Sequence, residues 1–223
     1  MTRLVLLLVG TVFLTGCIAT VQVTRYDEKT PIRISAPTKI IGLNRVVSSI
    51  PSGKVVGTGQ VGLGCGNARE LIWNGLTSND EKLLAERFDR EVGAAGYRTV
   101  SIIPAVQQSG TTEALFGDRG QLTAAAEGKA DYLVGAVVRS VAWTICAPWA
   151  GFGNVKSLKG EASIEVDWKI YDRAAQRIVA EITTGGFAKV DSSSGEGRLV
   201  VQDAFAAAAR NLLGSPELPN LVR

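Results

Sequence analysis

Histidine is missing from the 223 residues altogether, and the single methionine is Met1. Without an imidazole there is no Ser-His-Asp triad, no Cys-His pair, no histidine-ligated zinc and no histidine acid–base shuttle. An enzyme built on this chain would have to work with carboxylates, lysine or tyrosine. An excess of one charge is lacking too: 24 Lys and Arg face 21 Asp and Glu, a formal net charge of +3. The two signs are interspersed and no Lys/Arg cluster occurs, so no nucleic-acid surface is expected. Long apolar runs are also absent. The stretch from Leu4 to Leu14 falls short of the roughly 20 residues a spanning helix needs.

That stretch has a different meaning. The chain opens MTRLVLLLVGTVFLTGC, with a basic residue at Arg3, an apolar centre and a small-residue exit, the pattern of a cleaved export signal. Its ending, Leu14-Thr15-Gly16-Cys17, resembles the lipobox of bacterial lipoproteins. The resemblance implies cleavage before Cys17 and diacylation of its thiol, and several acyl chains together hold a protein on a bilayer almost permanently. Ile18-Ala19 follow, with no aspartate, so the sorting rule of that family implies the outer membrane and its lipid as the anchor's partner. The expected organisation is a signal peptide over 1–16, a lipid-anchored linker over 17–39 and a periplasmic domain over 40–223. The linker assignment rests on polar composition, Pro31 and Pro37, and the lack of a helical period.

With Cys17 consumed by lipid, Cys65 and Cys146 remain. In an oxidising compartment an even pair is a candidate disulfide, with two buried thiols as the alternative, because spacing alone does not set the Cα separation.

Apolar periodicity predicts strands over Ile40–Val47 and Lys54–Val61, with a turn at Pro51-Ser52-Gly53. The clearest helix opens at Ser78, where S-x-x-E to Glu81 has the form of a capping box. It carries Leu83, Leu84, Phe88, Val92 and Ala95 on its stripe and ends at Gly96. A strand from Tyr97 to Ile103 and a short helix from Asp118 to Gly128 follow. Ala130 to Val138 is nearly continuous in apolar residues, as expected of a central strand covered on both faces. Trp143 to Gly153 is expected as a Gly-rich aromatic loop. Ser163–Ile170 alternates and turns at Tyr171–Ala175 into a partner strand over Gln176–Thr184, and a helix over Leu199–Leu213 closes the chain. The predicted class is α/β (α+β): a single domain of two or three layers, with a mixed sheet of about five strands, three helices, a C-terminal β-hairpin and a closing helix.

This order of elements, with Gly96-Tyr97, Ala130-Asp131-Tyr132-Leu133-Val134-Gly135 and the Tyr171-Asp172-Arg173 turn, resembles the α/β domain of the curli-secretion lipoprotein (CsgG) family. The amino-terminal domain of TolB and the lipoprotein activators of penicillin-binding proteins look like relatives. In the curli-secretion family two long hairpins build an outer-membrane barrel, each strand needing about 9 to 11 residues. The corresponding places, Trp143–Leu158 and Gly185–Arg198, do not show two such alternating strands. The resemblance therefore implies a soluble assembly or interaction domain.

Three stretches invite a functional reading. Gly57-Thr58-Gly59-Gln60-Val61-Gly62 has the G-x-G-x-x-G spacing of a dinucleotide loop, but Leu63-Gly64-Cys65-Gly66 stands where a helix should nucleate. No nucleotide or other cofactor is expected, and a strand end leading into a Cys65 crosslink is. Trp143, Trp149 and Phe152 are candidate partner-binding residues, as an exposed anchor for protein or lipid, or else fold over the core beside a Cys65–Cys146 bridge. Glu165 and Asp167 share one strand face, which reads as a solvated face and not as a catalytic pair. The functional expectation is a non-enzymatic assembly, secretion-accessory or scaffolding lipoprotein whose partner is an envelope protein or further copies of the chain. Regulation of a periplasmic enzyme is the alternative, and a carboxylate hydrolase a third class.

Overall fold

The computed structural model describes residues 21–62, 65–100, 115, 130–148, 158–192 and 198–222. Among them, seven strands form one mixed sheet: β1 (Ile40–Ser48), β2 (Val55–Gly62), β3 (Asn67–Ile72), β4 (Arg98–Thr99), β5 (Tyr132–Pro148), β6 (Leu158–Asp172) and β7 (Arg177–Ser192). The helices among the described residues are α1 (Ser78–Ala94), α2 (Arg198–Leu213) and α3 (Glu217–Val222). The mixed α/β class, the C-terminal hairpin and the closing helix stand as expected.

Strand β5 organises the sheet. Its apolar run demands cover on both faces, and Leu133, Val134, Ala136 and Val138 are all fully buried. On one edge β5 pairs antiparallel with β6, and β6 pairs with β7. On the other edge β1 and β2 lie end to end, both parallel to β5: β1 runs beside Tyr132–Val138 and β2 beside Trp143–Pro148. The turn at 51–53 joins them, β4 flanks β1, and β3 flanks β2 antiparallel.

Helices α1 and α2 cover one face. The α1 stripe Leu84, Phe88 and Val92 and the α2 residues Ala204, Phe205, Ala208 and Leu212 are buried there. Trp168 of β6 lies between them, its ring 5.7 Å from Phe88 and 5.4 Å from Phe205, centroid to centroid. At Gly186 a Cβ would overlap the backbone of Ala204 and Ala208, so helix backbone rests directly on strand backbone. On the opposite face Val47 and Val137 pack beneath Leu115, whose carbonyl accepts from the Asn44 side chain.

Several expectations change. The capping box belongs to Thr77 and Asp80, one residue before the expected pair: the Asp80 N–H donates to Thr77 Oγ1 at 3.2 Å and the Thr77 N–H to Asp80 Oδ2 at 3.0 Å. Ser78 is thus inside the helix, and Glu81 pairs instead with Arg45 at 3.9 Å. The aromatic stretch is not loop from its start, because Trp143–Pro148 continue β5. Strand β7 runs on to Ser192, and β3 was not foreseen. The expected helix from Asp118 to Gly128 and the end of the Tyr97–Ile103 strand lie outside the described residues.

The expected linker has no helix or strand from Val21 to Thr38, yet it is bonded to the body along its length. The Thr24 N–H donates to Ser163 Oγ at 3.1 Å, Ile32 to the Leu213 carbonyl at 3.0 Å, Ile34 to Ala95 at 3.2 Å and Thr38 to Val222 at 3.1 Å. Ile34 is buried.

Candidate functional site

Where the tip of the β2–β3 pair meets β5, Cys65 and Cys146 are joined as a disulfide with their Cα atoms 5.6 Å apart. The glycines of GTGQVG have structural tasks beside it. A Cβ at Gly57 would overlap the Trp143 carbonyl oxygen, so the close approach of β2 to β5 requires glycine there. Gly62 has φ +98°, and β3 begins at Asn67, two residues after Cys65. The geometry is that of a crosslinked strand exit, not a phosphate cradle.

Behind Gly57, on the helix-covered face, lies a pocket of about 110 Å³. Trp143 of β5, Ile72 at the end of β3, Trp73 and Leu76 after it, Leu84 of α1 and Val201 and Gln202 of α2 line it. Trp73 is fixed by two backbone bonds to the β1–β2 turn: its N–H donates to the Lys54 carbonyl at 2.9 Å, and its carbonyl accepts from Gly53 at 2.8 Å. Asn74 and Gly75, the latter at φ +87°, then turn the chain into α1. Both helices reach the pocket by their first two turns, through Asp80 and Leu84 and through Val201 and Gln202.

Two indoles meet in this pocket, and neither Trp73 Nε1 nor Trp143 Nε1 has an acceptor, although both atoms are buried. A buried N–H without a partner costs about 1–3 kcal/mol. The volume is well below the roughly 300–1,000 Å³ of drug-sized ligand and cofactor sites. It matches one apolar side chain. Ile72 at the rim is 52% exposed, which leaves an apolar approach open to solvent.

Of the residues singled out in the sequence, Trp143 is half-buried and packs against the core, as a strand residue and not a loop anchor. The structure brings it to Trp73, which sequence reasoning passed over. The Asn74-Gly75 turn signal directly after Trp73 was the available clue. Trp149, Phe152 and the lipidation candidate Cys17 lie outside the described residues. Asp167 is held by Arg139 at 3.5 Å and accepts from Thr183 Oγ1 at 2.7 Å. Glu165 pairs with Tyr26, whose hydroxyl is pushed up chiefly by burial and then by that carboxylate.

A second hollow lies among Lys39, Asp131, Tyr132, Asp172 and Arg173. Its polar groups are committed to joining chain segments: Asp131 Oδ2 accepts from the Ile40 N–H at 2.8 Å, and Arg173 Nη1 donates to the Ala130 carbonyl at 2.7 Å. Burial, followed by the Asp172 and Asp131 charges, raises the Tyr132 hydroxyl. The Ala-Asp-Tyr and Tyr-Asp-Arg motifs thus form a structural clasp.

No protein-family model matches the chain, and no curated protein does. Among solved structures it is similar to XCC0632 of Xanthomonas campestris, assigned to DUF330, at 18% identity over 89% of each chain with a TM-score of 0.34. A dodecamer of a PelC variant from Paraburkholderia phytofirmans gives 10% identity over 85% of this chain and 98% of that one, TM-score 0.35. A candidate lipoprotein from Caulobacter crescentus gives 17% identity over 59% and 76%, TM-score 0.28. None of the three superposes closely enough to lend this chain its function.

Proposed function

We propose that the chain is a lipoprotein of the outer membrane, held through acylated Cys17, that serves as a non-enzymatic accessory or assembly factor of the cell envelope. The partner is an envelope protein that inserts one apolar side chain between Trp73 and Trp143. The observation that carries this reading is the pocket itself, sized for a side chain and lined by Trp73 and Trp143. An apolar anchor seated against the two indole rings would gain burial from both. The lipobox and the lack of histidine support the compartment and the absence of chemistry. The likeness to curli-secretion lipoproteins supports the use of such a domain as an assembly module.

Mild crosslinking in intact envelopes, followed by purification and mass spectrometry, tests the reading. An envelope protein crosslinked near Trp73, and lost on Leu76→Arg substitution at the pocket, is the expected result. A ring of identical subunits makes the chain its own partner. Recovery of a periplasmic enzyme whose rate changes on binding favours the regulatory alternative, and turnover abolished by a carboxylate substitution overturns the proposal.

A further inference from the structure

The first described residues after the lipidation candidate are not placed at random. Val21 and Val23 are half-buried, and from Thr24 to Tyr26 the chain crosses the face of β6 and β7 opposite α1 and α2. The Thr24 N–H donates to Ser163, Arg25 sits 3.7 Å from Glu161 and 5.7 Å from the Phe187 ring centre, and the Tyr26 ring occupies the space a Cβ at Gly185 would need. The strap then rounds the β7 edge to α2, where Asn211 holds it twice: Nδ2 donates to the Asp27 carbonyl at 3.1 Å, and Oδ1 accepts from the Lys29 N–H at 2.6 Å. Glu28 pairs with Arg210 beside it.

Chain length turns this placement into an orientation. Cys17 precedes Val21 by four residues, so even fully extended chain separates them by no more than about 14 Å. With the strap seated, a lipid on Cys17 keeps Val21, where the strap reaches the body, within about that distance of the bilayer. The helices lie on the far side, a further layer of about 10 Å away. Bringing the helix face to the membrane would require the strap to peel from Ser163, Gly185 and Asn211.

We infer that the β6–β7 face carrying Lys159, Phe187 and Lys189 lies against the lipid headgroups, and that the Trp73–Trp143 pocket therefore faces away from the membrane. The register separates the two sides: Ser163, under the strap, pairs with Ala142, whereas Trp143 pairs with Ala162 on the helix side. The chemistry of the face suits a headgroup layer. Lys159 pairs with Asp191 and Lys189 with Glu161, so the charges largely balance, and both lysine side chains are well exposed and able to reach phosphates. This inference rests on the lipoprotein reading proposed above.

The test uses the full, processed chain in vesicles of phosphatidylethanolamine and phosphatidylglycerol, labelled briefly with a bulky water-soluble amine reagent. Mass spectrometry compares it with a soluble Cys17→Ser chain. Lys159 and Lys189 are expected to label several-fold more slowly on vesicles, while Lys82, exposed on α1, labels at the same rate in both. A Tyr26→Ser/Asn211→Ala variant, checked for its disulfide and its circular dichroism, is expected to remain acylated and lose the protection. Acylated protein in which Lys159 and Lys189 label as on the soluble chain, or in which Lys82 is the protected one, overturns the orientation alone. A Cys17 peptide with no acyl chain overturns the lipoprotein reading, and the orientation with it.

Discussion

The Trp168 indole N–H donates to the Thr184 hydroxyl at 2.7 Å, and that hydroxyl donates onward to the Ala208 carbonyl at 2.8 Å. One polar relay therefore ties β6, β7 and α2 together inside an otherwise apolar layer. Thr184→Val keeps the side-chain shape and removes the acceptor, leaving a buried indole N–H unpaired. The expected loss is about 1–3 kcal/mol, measured as a lower urea midpoint with an unchanged slope.

The contact of Gly186 with α2 predicts two substitutions of opposite sign. Gly186→Ala places a methyl group into the Ala204–Ala208 backbone and should cost about 1–3 kcal/mol. Gly93→Ala adds the same methyl group to α1, where nothing lies within 4 Å. It should raise stability by up to about 1 kcal/mol. Thermal melts of the two variants against the parent check both.

The crosslink has a direct signature. Digestion without reductant should yield one species containing both the Cys65 and Cys146 peptides, and two free thiols in freshly exported protein would defeat the assignment. Replacing both cysteines with serine releases a loop of 81 residues in sequence separation. The expected loss is on the order of 4 kcal/mol.

Glu81 carries a pH dependence. Burial raises its carboxyl above the ordinary value of 4.5, and the Arg45 charge only partly opposes this. The folded chain thus holds this proton more tightly than the unfolded chain, so Glu81 makes stability fall as pH rises from about 4.5 through the folded-state value. Glu81→Gln removes that contribution. Across the same interval the variant should gain stability relative to the parent, as followed by urea titration at successive pH values.

Much of the fold is legible in local pattern. Leu84, Phe88 and Val92 recur at helical spacing, and the alternation from Ser163 to Ile170 marks a half-covered strand. The cap shifted by one residue because Thr77 and Ser78 are both good caps, each with an acidic residue three positions on, and only the tertiary setting of Arg45 and Glu81 separates them. Trp143–Pro148 hid within a glycine- and aromatic-rich stretch whose strand character depends on pairing with β6 and with β2, the latter distant in sequence. Strand β3 was masked by its Arg69-Glu70 pair, which sits on an exposed edge. The candidate site was half visible: Trp143 stood out by composition, whereas Trp73 belongs to the site only because the β1–β2 turn pins it there. The strap escaped notice because many of its bonds run through backbone groups, which leave no mark on side-chain patterning, and its ion pairs, Arg25 with Glu161 and Glu28 with Arg210, join residues far apart in sequence.

The end-to-end seating of β1 and β2 on one edge of β5 sets the order in which the molecule can assemble. Ile41 finds Tyr132 and Gly57 finds Trp143, separations of 91 and 86 positions (132 less 41, 143 less 57). Pairings this remote form late, since a long loop must close before they are rewarded. The β5–β6–β7 meander is local and is free to form by itself, whereas the amino-terminal third must wait for it as a template. A chain emerging from its amino end first therefore exposes the unmated edges of β1 and β2 until β5 arrives, the interval in which those edges are most open to pairing with other chains.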